Sequence, residues 1–171
     1  MENTNKPRTA EFVADMIRRL KNDDSACRAA LRRADNSATA SFAWEYLVPY
    51  CNIQNDRERL PFALIGAAIA REQPENDGKM DMGEMLFRCT EGDPEAKDRE
   101  VRRLRRLLSC DSSMELVEIL RSTVRYIQSK GNIPFGYERL LMDILYWNEK
   151  VKLRWTHHFF NKQTELQNKE V

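Results

Sequence analysis

The stretch DREVRRLRRLL, residues 98–108, places five arginines within eleven residues. A guanidinium is planar, permanently charged and presents its donors as a fork, which suits bidentate contact with phosphate and stacking on bases. At about 100° per residue, Val101, Leu104, Leu107 and Leu108 gather on one side of a helix. Arg99, Arg102, Arg103 and Arg106 recur at i, i+3, i+4 and i+7 on the opposite side, and Arg105 flanks the apolar stripe. Only Asp98 and Glu100 are acidic within the stretch, so few intrahelical partners exist. The pattern fits either an ordinary solvated face or a surface built to meet phosphate. In the second case binding would release counterions and weaken steeply with salt.

Other basic groups could join the same surface. Arg32 and Arg33 lie in AALRRAD, and Arg57 in NDRERLPF. Arg121 and Arg125 are one helical turn apart, and Lys150, Lys152 and Arg154 precede Trp155. Taken singly, each reads as a solvated charge. With Arg99, Arg102, Arg103 and Arg106 they make up the candidate nucleic-acid-binding set, and its meaning depends on convergence in space.

No other constellation carries chemistry. His157 and His158 are the only histidines; adjacent helical positions point about 100° apart, which makes a poor metal pair. Cys27, Cys51, Cys89 and Cys110 are widely separated, without a C-x-x-C spacing, and read as reduced structural thiols. Phosphate-loop, nucleophile-elbow and zinc-protease motifs are missing from the sequence. The expectation is a protein with no catalytic residues, no metal and no cofactor, and with no small-molecule substrate. Trp147 and Trp155 read as core packing, and the seven methionines as gap-fillers.

The elements that would position the arginines are helical almost throughout. PRTAEFVADMIRRLK places Phe12, Met16, Ile17 and Leu20 on one stripe, and Asp24 can cap a short helix through SACRAALRRAD. SATASFAWEYLVPY stops at Pro49; DRERLPFALIGAAIAREQ is apolar on most sides and reads as the most buried helix. PENDGKMD is a loop before the short helix MGEMLFRCT. Asp93 is the candidate N-cap of the arginine helix, with Pro94 at its first position. Ser112 and Glu115 have capping-box spacing, and that helix ends before Gly131. FGYERLLMDILYWNEK and VKLRWTHHFFNK are the last helices, and TELQNKEV reads as a frayed tail.

The fold class expected is all-α, a two-lobed bundle of about eight or nine helices. The lobes are residues 1–93 and a basic 94–171. Charge supports that division: residues 1–94 carry 13 Lys/Arg against 16 Asp/Glu, and residues 95–171 carry 15 against 11. The start lacks the charged-then-apolar pattern of a secretory signal, and the run PFALIGAAIA is too short to span a bilayer. A cytoplasmic protein without membrane contact is expected.

The order and spacing of several segments carry a resemblance. They are AALRRAD, VPY, RLPFALIGAAIA, DMGEMLFRC, VRRLRRLLSCDSSMELVEILRSTVRYI and the ending ERLLMDILYW…RWTHHFF. Over roughly residues 10–160 the chain resembles the small subunit of the type I-E CRISPR Cascade complex, the CasB family. The resemblance implies a helical, non-enzymatic subunit acting in antiviral defence. Its partners would be the CRISPR guide RNA and target DNA, the backbone and large subunits, and a second copy of itself. Its basic face would hold the guide–target hybrid and the strand displaced in the R-loop. Basic positions carried over from the family are Arg33, Arg57, Arg103, Arg121 and the Lys150–Lys152 group, where Glu149 interrupts the match. A second reading stays open, in which the chain is a scaffold whose arginines pair with acidic protein neighbours.

Overall fold

Nine α-helices and one 3-10 turn make up the regular structure of the described residues, 7–93 and 95–167, in the computed structural model of the chain. The all-α expectation holds: among the described residues the one strand-like pairing is an isolated bridge between Met80 and Phe135. The chain divides into two compact units, Met1–Asp77 and Gly78–Val171.

The first unit is arranged around its most apolar helix. It contains α1 (Arg8–Lys21), α2 (Ser25–Leu31), a 3-10 turn (Ala40–Ala43) leading into α3 (Trp44–Leu47), and α4 (Asp56–Glu72). Every residue of α4 from Pro61 to Ala70 is buried, as its nearly uninterrupted apolar sequence demands. Phe12 of α1 meets Phe62 edge-on at 5.0 Å and Tyr50 at 5.4 Å. Asp24 caps α2 as expected, accepting from the Cys27 N–H at 3.0 Å.

The second unit holds α5 (Met82–Arg88), α6 (Ala96–Leu108), α7 (Ser113–Ser129), α8 (Tyr137–Leu145) and α9 (Glu149–Gln167). Helix α5 lies against α9 at a distance that only glycine permits. A Cβ on Gly83 would fall 2.1 Å from the Trp155 carbonyl oxygen. Asp81 and Glu84 close a full capping box at the start of α5.

Three local expectations are corrected. The arginine helix starts at Ala96, and Asp93 instead accepts from the Glu95 N–H at 3.0 Å in the turn before it; Pro94 lies outside the described residues. Ser112 caps α7 through the Glu115 N–H, but the Glu115 carboxylate reaches the Asp111 N–H at 2.9 Å, so its return bond closes one residue early. Helix α9 continues to Gln167, so TELQ is helical in its backbone; residues 168–171 lie outside the described residues.

The compact units meet at 77/78, where the lobes expected from the sequence met at 93/94. Helix α5 belongs with α9, because the Gly83 contact and the Asp81 side chain tie it there. Redrawn at 77/78, the first unit carries 11 Lys/Arg against 12 Asp/Glu and the second 17 against 15. The contrast between the units shrinks, so basicity belongs to particular helices rather than to a whole unit.

Candidate nucleic-acid interface

Ala96, Glu100, Leu104 and Leu107 are the buried residues of α6. They recur at i, i+4, i+8 and i+11, so the inward stripe is centred on a carboxylate. Glu100 is fully enclosed, and a buried charge needs partners. The Tyr126 hydroxyl of α7 donates to it at 2.5 Å, the Arg103 Nε donates at 3.2 Å, and Arg99 adds an ion pair at 3.7 Å. The Arg103 guanidinium also lies 3.9 Å from the Tyr126 ring centroid, with Lys130 at 5.0 Å. Burial, then the bond to Glu100, raises the Tyr126 hydroxyl pKa. Burial and the nearby Glu100 push the Cys89 thiol up to about 12, which leaves it inert as a nucleophile.

This inward carboxylate turns α6 relative to the expected orientation. Val101 and Leu108 are only half-buried, and Arg103 is drawn partly inside. Arg105, expected beside the apolar stripe, is exposed. The exposed residues of α6 are therefore Lys97, Asp98, Arg99, Arg102, Arg105 and Arg106. Arg99 is held by Asp93 at 3.0 Å, a bond that raises the arginine pKa and lowers that of the aspartate. Among the described residues no carboxylate pairs with Arg102, Arg105 or Arg106. Arg105 was missing from the sequence-derived set, and the spacing of Ala96, Glu100, Leu104 and Leu107 was the signal that could have found it.

The other candidates differ in how far their charge is available. On α7, Arg121 is half-buried and pairs with Glu118 at 3.0 Å, while Arg125 is exposed. On α9, Lys150 is exposed and Lys152 lies over the Trp147 ring at 5.4 Å. Arg154 departs from the expected basic surface. Its Nε donates to Asp81 at 3.3 Å and its terminal nitrogen to Asp143, both carboxylates being buried. The Trp155 indole N–H completes Asp143 at 2.7 Å. Burial pushes Asp143 above the usual carboxylate range despite these bonds. Burial also works against the Arg154 charge, but Asp143 and Asp81 outweigh it and raise the arginine pKa. In the first unit, Arg32 donates to the Ala70 carbonyl at 3.2 Å, Arg33 lies over Phe42, and Arg57 is exposed without a carboxylate partner among the described residues.

One cluster escaped the sequence. Asp81, Glu84 and His158 bring ligand-type atoms within 4.8 Å of one another. Asp81 at its centre is already engaged: it accepts from the Glu84 N–H, from Arg154 and against His158 Nδ1 at 2.6 Å, while Glu84 accepts from the Asp81 N–H. The adjacent Arg154 charge opposes a cation. This cluster joins α5 to α9.

These features describe an all-helical protein that carries a basic helix on its second unit. The chain belongs to the CRISPR-associated protein Cse2 family, whose model matches residues 27–160. It is similar to a chain of a solved structure described as a CRISPR RNA-guided surveillance complex, at 18% identity and a TM-score of 0.79, covering 96% of this chain and 98% of that one. It is also similar to a Cse2-family CRISPR-associated protein from Thermus thermophilus, at 23% identity and a TM-score of 0.70, and to CasB from Thermus thermophilus, at 22% and 0.67. Each of these two comparisons covers 90% of this chain and 97% of the other. At such identities the likeness is one of fold. No curated protein matches the chain. The resemblance to the CasB family noted in the sequence is borne out.

Proposed function

We propose that the chain is a non-catalytic subunit of a type I-E CRISPR RNA-guided surveillance complex, working in the cytoplasm, and that α6 holds nucleic acid there. The observation that carries this reading is the outward set Arg102, Arg105 and Arg106, which no carboxylate neutralises among the described residues. Family membership supplies the setting. The partners are guide RNA, target DNA, the backbone and large subunits and a second copy of the chain. On the same unit, exposed Arg125 and Lys150 are further candidate contacts, and on the first unit Arg32, Arg33 and Arg57 are candidates in their own right; Arg99, Arg103, Arg121 and Lys152 also meet groups within the fold. Among the described residues no helix is long and apolar enough to cross a membrane.

The energetics suit such a role. Exchange of a DNA duplex for an RNA–DNA hybrid is nearly balanced, so contacts to phosphates can tip it forward without reading sequence. The test is the double variant Arg102→Glu/Arg106→Glu, placed in the reconstituted complex. Target-DNA affinity falls and its dependence on salt becomes shallower, while assembly and folding persist. Unchanged affinity at physiological salt overturns the reading.

A second reading treats the chain as a helical scaffold. On it the unmatched set Arg102, Arg105 and Arg106 pairs with acidic protein neighbours, which satisfy a guanidinium as phosphate does. On that reading the same variant leaves DNA affinity intact and impairs assembly instead.

A further inference from the structure

Residues 40–48 hold three exposed apolar side chains: Phe42 at 56%, Trp44 at 40% and Val48 at 55% of their full surface. One exposed hydrophobe needs no explanation, but three within seven residues mark a contact surface. Each ring in this segment is matched with an arginine from a different part of the first unit. Arg33, just beyond α2, lies 5.2 Å from the Phe42 centroid; Arg59 of α4 lies 5.8 Å from Trp44; Arg19 of α1 lies 5.8 Å from Tyr46. Arg19 and Arg59 are tied to carboxylates, Asp15 with Asp24 and Asp56 respectively. Arg33 and Arg57 are exposed with no carboxylate partner among the described residues, and Glu45 is the one acidic residue in 40–48.

Exposed rings beside an uncompensated guanidinium, that of Arg33 at Phe42, ask for a ligand that offers both a π-face and an anion within one residue's length. An unpaired nucleotide does so; in a duplex the base faces are covered by their neighbours. An apolar protein partner would instead strip water from Arg33 without giving it a counter-charge. We propose that Phe42 and Trp44 are stacking platforms for the unpaired bases of single-stranded DNA, with Arg33 toward its phosphates. The inference rests on the function proposed above, in which guide and target are paired with each other and the displaced DNA strand has its bases free.

The test uses the full chain, a labelled oligo(dT) of about a dozen nucleotides and a duplex of the same length. Phe42→Ala/Trp44→Ala weakens oligo(dT) binding about tenfold or more. Duplex affinity and the salt slope stay unchanged, because stacking releases no counterions. Both side chains are exposed, so far-UV circular dichroism should match the parent, and Trp44→Phe alone retains most of the affinity. Unaltered oligo(dT) affinity in the double variant overturns the platform, as does an equal loss on duplex. Loss of complex assembly with oligo(dT) binding intact also overturns it and makes the surface a protein contact. If Arg102→Glu/Arg106→Glu still lowers affinity and salt slope, the platform alone has failed. If the parent chain binds no oligonucleotide at low salt, both readings fall together.

Discussion

Arg106 and Arg154 lie on amphipathic helices of the same unit, and their surroundings are opposite. Arg154 is enclosed by Asp81 and Asp143, each almost fully buried, and spends its donors on them. Arg106 is exposed, and among the described residues no carboxylate meets it. A guanidinium already matched by two carboxylates presents no net positive charge when viewed from a distance, so it orders the fold and does little to attract a polyanion. An unmatched one does the reverse. Availability, more than the number of basic residues, separates the α6 surface from the α5–α9 junction.

The sharpest way to break this comparison is at the junction. Asp143→Ala leaves the Trp155 indole without its acceptor and Arg154 with Asp81 alone, and should cost about 3–5 kcal/mol in urea unfolding. A loss below about 1 kcal/mol would remove the structural role assigned to Arg154. Next comes Arg103→Gln, which leaves the enclosed Glu100 with fewer donors; about 1–3 kcal/mol of stability should be lost. Arg105→Gln, two residues on, should leave unfolding unaltered. Its effect appears instead in DNA binding, as a log–log salt slope shallower by about 0.7–0.9. If Arg154→Gln lowered DNA affinity as much as Arg106→Gln at equal folded fraction, the distinction between the two regions would collapse.

The smallest effect is in acid. Burial favours the neutral form of Asp15, but bonds from Arg19, Arg18 and Tyr50 outweigh it and its pKa is lowered. Its contribution to stability is therefore present above the ordinary carboxylate value and is lost as pH falls through the depressed one. Asp15→Asn should flatten that part of the acid unfolding profile. Asp143 has the opposite sign: its raised pKa means that its contribution weakens as pH rises through the raised value. A profile for Asp143→Asn that lost the same acid limb as Asp15→Asn would contradict the sign assigned to Asp143.

Much of the helical framework was legible from residue types. Asp24 and Ser112 cap where their short acceptors permit, Gly131 takes a positive φ of 74° after α7, and the apolar run of α4 is buried on every side. The arginine face was legible in part. The inward stripe was drawn through Val101, Leu104, Leu107 and Leu108 without Glu100, since a carboxylate in a basic helix ordinarily faces water, and that omission exchanged the environments of Arg103 and Arg105. Nothing within α6 announces Tyr126, 26 residues away, as the group that makes Glu100 tolerable inside.

The sequence by itself determined what depends on neighbours a few residues apart: helical periodicity, caps, and the order of segments that places the chain in its family. Only the tertiary structure decided which charges are left over. Whether Arg154 meets Asp81, 73 residues earlier, or whether Arg106 meets no acid among the described residues, depends on contacts between helices. Those contacts are set by close approach, as at Gly83 against Trp155, and no local pattern of charge encodes them.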